Sequence, residues 1–199
     1  MTKPIRILQE TEQFVLAHMA HNDAAHDTGH VHRVVALART IAAAYPAADR
    51  FRVELLAWLH DMSDDKLASN VGAASIDAFL QSVGASESDR RFIAEGLPLI
   101  SYRKHPKLDE DVPLEIRIVQ DADRIDAIGA VGIARTFAYG GAKGRGLEDS
   151  LAHFDEKLLL LCDLLSTEEA KRIARPRHAF LQAFYAQYQE EIGTAKENI

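Results

Sequence analysis

A chain of 199 residues, 47% of them hydrophobic, fits one ordinary domain with a substantial core and is too apolar for a disordered segment. Its formal net charge of −7 excludes broad attraction to nucleic-acid polymers or anionic membranes, while leaving room for a local basic pocket that takes a small phosphorylated molecule. The single cysteine, Cys162, excludes an intramolecular disulfide and any multi-cysteine zinc site. No apolar run approaches membrane-spanning length, and MTKPIRILQETEQFVLAH lacks the continuous apolar stretch of a secretion signal. A soluble cytoplasmic protein is therefore expected.

Apolar residues recur at helical spacing almost throughout. Ile5, Leu8, Phe14 and Val15 predict a first amphipathic helix from Ile5 to His18. Thr28 is placed to cap a second, carrying Val31, Val34, Val35, Leu37, Ala38 and Ile41 and stopped by Tyr45-Pro46. Asp49 caps a third, from Arg50 to about His60. The stretch MSDDKLASN reads as a loop, and two shorter helices follow, about Ala73 to Val83 and Ser88 to Tyr102. Pro113, at the favoured first helical position, opens the longest pattern, Leu114 to about Tyr139. GGAKGRG reads as a flexible break. Helices from about Asp149 to Leu164 and from about Thr167 to Glu190 complete the chain, the last kinked near Pro176. With no repeat and no alternating strand pattern, the expected fold is all-α, a single-domain helical bundle spanning residues 1–199.

Three segments carry chemistry. In LLAWLHD, His60 and Asp61 are neighbours, which on a helix diverge by about 100°. Both address one point only near a helix end, where the pattern puts them. In DAAHDTGHVHRV, His26 and His30 are four apart and Arg33 lies three beyond His30. A metalloprotease of the His-Glu-x-x-His kind is disfavoured, because Asp27 stands where glutamate is needed. His32 reads as solvated. In IVQDADRIDAIGAVGIAR, Asp123 and Asp126 fall on an apolar stripe with Ile116, Val119 and Ala130. Buried carboxylates need a cation, an arginine or dense hydrogen bonding, and Arg124 and Arg135 offer a purely structural answer. Gly129 and Gly132 weaken a helix and suggest close packing against another helix there.

Together with HFDEKLLLL, these segments resemble the HD-domain superfamily of metal-dependent phosphohydrolases, in particular a small single-domain bacterial branch. The resemblance covers nearly the whole chain. It implies that His30, His60, Asp61 and Asp123 ligate a metal, with Asp123 preferred to Asp121 for its Ala-Asp-Arg setting. His26, Asp126 and Asp121 would support that shell or face substrate. A mixed nitrogen and oxygen set suits Mn²⁺, Fe²⁺, Co²⁺, Ni²⁺ or Zn²⁺ better than Mg²⁺. Such an ion would polarise a phosphoryl group and lower the pKa of water toward neutrality, so that hydroxide attacks phosphorus.

Around that centre, Asp64 or Asp65 would orient or deprotonate the water, and Lys66 would contact a phosphate oxygen. Arg33, Arg103, Arg135 and His153 are further substrate-side candidates. Lys143 and Arg145 would ride on a flap after Tyr139, and His153 and Lys157 share a helix face. Trp58 reads as core. The stripe Phe180, Phe184, Tyr185 and Tyr188 reads as core or dimer surface, which leaves a homodimer open. The expected function is hydrolysis of a small phosphorylated molecule, a nucleotide in first place, as a nucleotidase or a nucleoside triphosphate pyrophosphohydrolase. The alternatives are a nucleotide-binding regulatory module without turnover, and a di-iron oxygenase of the same fold drawing on His26 and Asp27.

Overall fold

The computed structural model describes residues 2–19, 28–62, 71–101 and 111–197. Among these there is no strand. Helices α1 (Lys3–Met19), α2 (Thr28–Ala43), α3 (Arg50–Leu59), α4 (Gly72–Ser82), α5 (Glu87–Ile100), α6 (Leu114–Asp126), α7 (Gly129–Ala142), α8 (Leu147–Glu156) and α9 (Glu168–Glu197) follow in order, with a 3-10 segment at Leu158–Leu164. The all-α expectation holds. Among the described residues no helix is long and apolar enough to cross a membrane.

Helix α3 is central because it is apolar on nearly every side. Val53, Leu55, Leu56, Ala57, Trp58 and Leu59 are all buried, the signature of a core helix rather than a surface one. Its start is fixed by Asp49, whose carboxylate accepts from the Phe51 and Arg52 N–H groups, a cap contributing about 1 kcal/mol. Helices α1, α2, α5 and α6 pack around it. On α1 the buried row is Ile7, Thr11, Val15 and Met19, whereas Ile5 is exposed. The apolar stripe is thus rotated from the one the sequence suggests.

The largest departure from expectation lies between Leu114 and Ala142. One long helix was expected; two form, broken at Ala127-Ile128, where Gly129 takes φ 76°, a left-handed value that glycine alone adopts at low cost. Pro113 sits at the cap position rather than inside the helix. The break matters for the site. In a continuous helix residues 126 and 135 would stand roughly 14 Å apart along the axis, yet here their side chains touch. Close packing against another helix is met at Gly129, where a Cβ would stand 3.0 Å from Arg177 Cβ on α9, whereas at Gly132 a Cβ would run into the Ala127 carbonyl of the α6–α7 link.

Residues 140–146 also differ from the flexible break expected of them. Arg145 N–H bonds the Gly140 carbonyl at 2.9 Å and Gly144 N–H the Gly141 carbonyl at 3.1 Å, with Gly144 at φ 69°. This is the hydrogen-bonded reversal that closes many helices. The helix expected over 149–164 divides into α8 and the 3-10 segment, and α9 runs to Glu197 with Pro176 inside it. Phe137, Phe154, Phe184, Tyr185 and Tyr188 form an aromatic cluster between α7, α8 and α9, while Phe180 is exposed.

Asp121, which the sequence left as a supporting or substrate-facing group, does something else. Fully buried, it accepts from Ser166 N–H at 2.9 Å, Thr167 N–H at 2.8 Å and the Thr167 hydroxyl at 2.7 Å. It therefore pins the start of α9 to α6. Burial pushes its pKa up, against the opposing pull of those donors and of Arg124. Replacing it with alanine strands a buried backbone donor at Thr167 and a partly buried one at Ser166, an unmet buried donor costing about 1–3 kcal/mol. Asp121→Ala should accordingly lose about 3 kcal/mol in urea unfolding, and a loss indistinguishable from zero would refute the anchoring role.

Candidate metal centre

Three elements converge on one point. Helix α2 brings in His30, the end of α3 brings His60 and Asp61, and α6 brings Asp123. His60 is the residue that closes α3, and its Nδ1 lies 2.8 Å from the Ala57 carbonyl oxygen. A carbonyl only accepts, so Nδ1 carries the proton and Nε2 presents a lone pair when the ring is neutral. His30 Nδ1 lies 2.8 Å from Asp126 Oδ2, which fixes the same tautomer there. The two Nε2 atoms stand 3.2 Å apart.

Carboxylates complete the cluster. Asp61 Oδ2 is 3.4 Å from His30 Nε2, and Asp61 Oδ1 is 3.4 Å from His60 Nε2. Asp123 Oδ1 is 3.5 Å from His30 Nε2. Ligand atoms of His30, His60 and Asp61 all lie within 4.8 Å of one another, and Asp123 approaches from the His30 side. Two neutral imidazole lone pairs facing each other beside two carboxylates repel unless a cation lies between them. The donor set therefore fits a divalent ion of the transition series. Without one, a proton can serve. Burial pulls the His30 pKa down, but Asp126, Asp61 and Asp123 outweigh it and push it up to about 9.

Behind His30 stands Asp126, for which the sequence leaves open a role supporting the ligands or one facing substrate. Here it has no exposed surface. Arg33 Nε donates to its Oδ1 at 2.7 Å, and an Arg135 guanidinium N–H donates to its Oδ2 at 2.6 Å. Burial would raise its pKa; His30, Arg33 and Arg135 instead hold it far below the usual carboxylate range. The supporting arrangement is the one seen, and its physical reason is charge: a buried carboxylate is tolerated where cations surround it, and a group so engaged has little to offer a substrate. Arg33 and Arg135, also proposed for substrate, are the groups that neutralise it.

Arg124, the other arginine offered as a partner, turns away and donates to the Leu164 carbonyl at 2.6 Å. The Arg33 contact with Asp126 was not foreseen. Its signal was the spacing of three from His30, which lets both side chains leave α2 toward α6. Trp58 is buried as expected and meets the exposed His32 edge-on, ring centres 5.2 Å apart. His153 lies on α8, with Glu156 at 3.9 Å. His26, Asp27, Asp64, Asp65, Lys66 and Arg103 lie outside the described residues.

With this geometry in hand, comparison with known proteins gives the family. The profile of the HD domain matches residues 28–128, a span that contains every residue of the cluster. The Bacillus subtilis (strain 168) protein YpgQ is 37% identical over 199 residues, covering 96% of both chains. The structure of YpgQ in complex with ADP superposes with a TM-score of 0.83, at 32% identity, covering 96% of this chain and 97% of that one. An HD-superfamily hydrolase from Bacillus thuringiensis superposes with a TM-score of 0.76 at 34% identity, over 96% and 99% of the two chains. The chain belongs to the HD-domain family.

If Asp126 orients His30, then Asp126→Asn should keep the fold but weaken Mn²⁺ binding by about 10–100-fold, the usual effect of losing a group that supports a ligating histidine. Calorimetric titration of Mn²⁺ into the chelator-treated protein measures this, and unchanged affinity would show that His30 needs no such support.

Proposed function

We propose that this protein is a metal-dependent phosphohydrolase of small phosphorylated molecules, with nucleotides as the substrate class. The observation that carries the reading is the pair of facing Nε2 atoms, 3.2 Å apart, beside the carboxylates of Asp61 and Asp123. Support for a nucleotide comes from YpgQ, which binds ADP in its solved complex, and from the hydrolase description of the Bacillus thuringiensis relative. His30, His60, Asp61 and Asp123 would hold the divalent ion, which when bound polarises a phosphoryl oxygen and lowers the pKa of water.

The remaining work falls to the chain's own side chains. The Ala57 carbonyl and Asp126 orient the two rings, so both Nε2 atoms face the same point before any ligand arrives. Preorganisation of this kind spares the site a rearrangement during reaction. Burial of His30 and His60 keeps bulk water from the nitrogen side, whereas Asp61 and Asp123 are 17% and 29% exposed and mark the side open to substrate. Asp64 or Asp65 is proposed to orient or deprotonate the attacking water, and Lys66 to bind a phosphate oxygen. All three follow Asp61 closely in sequence. A pyrophosphohydrolase would cut between the first and second phosphates of a nucleoside triphosphate; a nucleotidase would remove a terminal one.

Stripping metal with a chelator and restoring Mn²⁺, Co²⁺, Ni²⁺, Fe²⁺ or Zn²⁺ singly should return release of phosphate or pyrophosphate from a nucleoside mono-, di- or triphosphate panel. Should no ion restore turnover on any member, the proposal fails. Asp123→Ala should abolish turnover, falling by at least about 10³-fold given the loss of a charged ligand. Activity near wild type in that variant would move the fourth ligand elsewhere.

A further inference from the structure

The His30 cluster draws on α2, the end of α3 and α6, yet α9 reaches the corner that lies behind it. Arg177 extends from α9 to the last turn of α6, where a guanidinium N–H donates to the Ile125 carbonyl at 3.1 Å. The same side chain lies along Gly129, since a Cβ built there would stand 3.0 Å from Arg177 Cβ and 3.2 Å from its Cγ. One arginine therefore touches both sides of the Ala127-Ile128 break. Its stem backs the start of α7, and its charge holds the end of α6.

The bond falls where the backbone needs it. The last carbonyls of a helix have no partner within it, and Ile125, besides Arg177, receives a long 3.3 Å bond from Ile128 N–H. A cation at this end also meets the negative pole of α6. The Ile125 oxygen belongs to the planar peptide unit that ends in the Asp126 nitrogen, so holding the oxygen holds the backbone entry to Asp126. The groups that keep the Asp126 carboxylate ionised are His30, Arg33 and Arg135. Arg177 bonds backbone instead, and acts on where those groups meet. Arg135 lies six residues beyond Gly129 on α7, so the direction of α7 decides whether it returns to Asp126, which it meets at 2.6 Å. Asp126 in turn meets His30 Nδ1 at 2.8 Å.

We propose that Arg177 is a positioning residue for the centre. By fastening the Ile125 carbonyl and backing Gly129, it holds the α6–α7 corner at the angle that joins Arg135 to Asp126, and so keeps His30 aimed at His60. The consequence for metal affinity rests on the metal-binding reading of the His30 cluster; the effect on the His30 ring does not.

Arg177→Met keeps an unbranched stem beside Gly129 and removes the donor, and Arg177→Gln, whose amide stops short of the carbonyl, provides a second variant. Calorimetric titration of Mn²⁺ into the full-length, chelator-treated proteins should show binding weakened by about 5–10-fold in each, at or below the low end of the effect of losing a group that touches a ligating histidine. In an Asp126→Asn background the same substitutions should change affinity by less than about twofold, because the route to His30 is already cut. A contact that only stabilises the fold would lower the urea midpoint with Mn²⁺ affinity kept, or weaken binding equally in both backgrounds, and either result overturns the proposal. Proton NMR of the metal-free protein gives a second readout. The His30 Nδ1–H, bonded to a carboxylate, should resonate far downfield and should shift or broaden in both Arg177 variants. An unchanged resonance overturns the positioning role. A wild type that binds no Mn²⁺, but whose His30 resonance still answers to Arg177, would keep that role and remove the metal-binding reading, so the two failures are distinguishable.

Discussion

A carboxylate with no exposed surface has to be neutralised, and Asp126 is neutralised from three directions at once. His30 donates from α2, Arg33 from one turn further along the same helix, and Arg135 from α7. Isolated, such a charge would cost several kcal/mol to bury. Surrounded by two guanidiniums and an imidazole N–H, it stays ionised and becomes a fixed acceptor. The consequence travels one bond outward: with Nδ1 committed to Asp126, His30 can offer only Nε2 to whatever lies between it and His60. The chemistry of the centre is thus decided behind it, by groups that need not touch substrate.

Helix α6 distributes these roles by geometry. Successive residues point in different directions, so one short stretch serves three neighbours. Asp121 pins α9 through Ser166 and Thr167, Asp123 faces the centre, Arg124 binds the Leu164 carbonyl, and Asp126 supports His30. Most of this helix is buried, which is unusual for a segment carrying six charged residues, and each buried charge among them has a specific counterpart. A shift of α6 would disturb metal centre and C-terminal packing together, tying the stability of the fold to the competence of the site.

Local signals in the sequence carried far. The Asp49 cap and the apolar run after it were enough to place α3, and the need for a helix end at His60-Asp61 follows from the angular step between neighbours. The aspartates of IVQDADRIDAIGAVGIAR were readable as unusual because charge on an apolar stripe requires a partner. Which partner each would take was not readable. The answer depends on the break at Ala127-Ile128, whose cause is a left-handed Gly129, and apolar periodicity runs through that break without a signal. Once the chain turns there, Arg135 comes back to Asp126 and Arg124 is left for Leu164. Asp121 was misjudged for a related reason, since its partners lie 45 and 46 residues away and no local pattern links them. The reversal at Gly144 had the composition of a flexible linker, yet its glycines serve a defined hydrogen-bonded cap.

His30, His60, Asp61 and Asp123 are proposed to bind one divalent ion together. Anomalous scattering from crystals of the protein grown with Mn²⁺ tests it most directly. A single strong peak between the Nε2 atoms of His30 and His60, in contact with the carboxylates of Asp61 and Asp123, is the expected result. A peak held by other residues, or no peak between the two rings at saturating Mn²⁺, would contradict it.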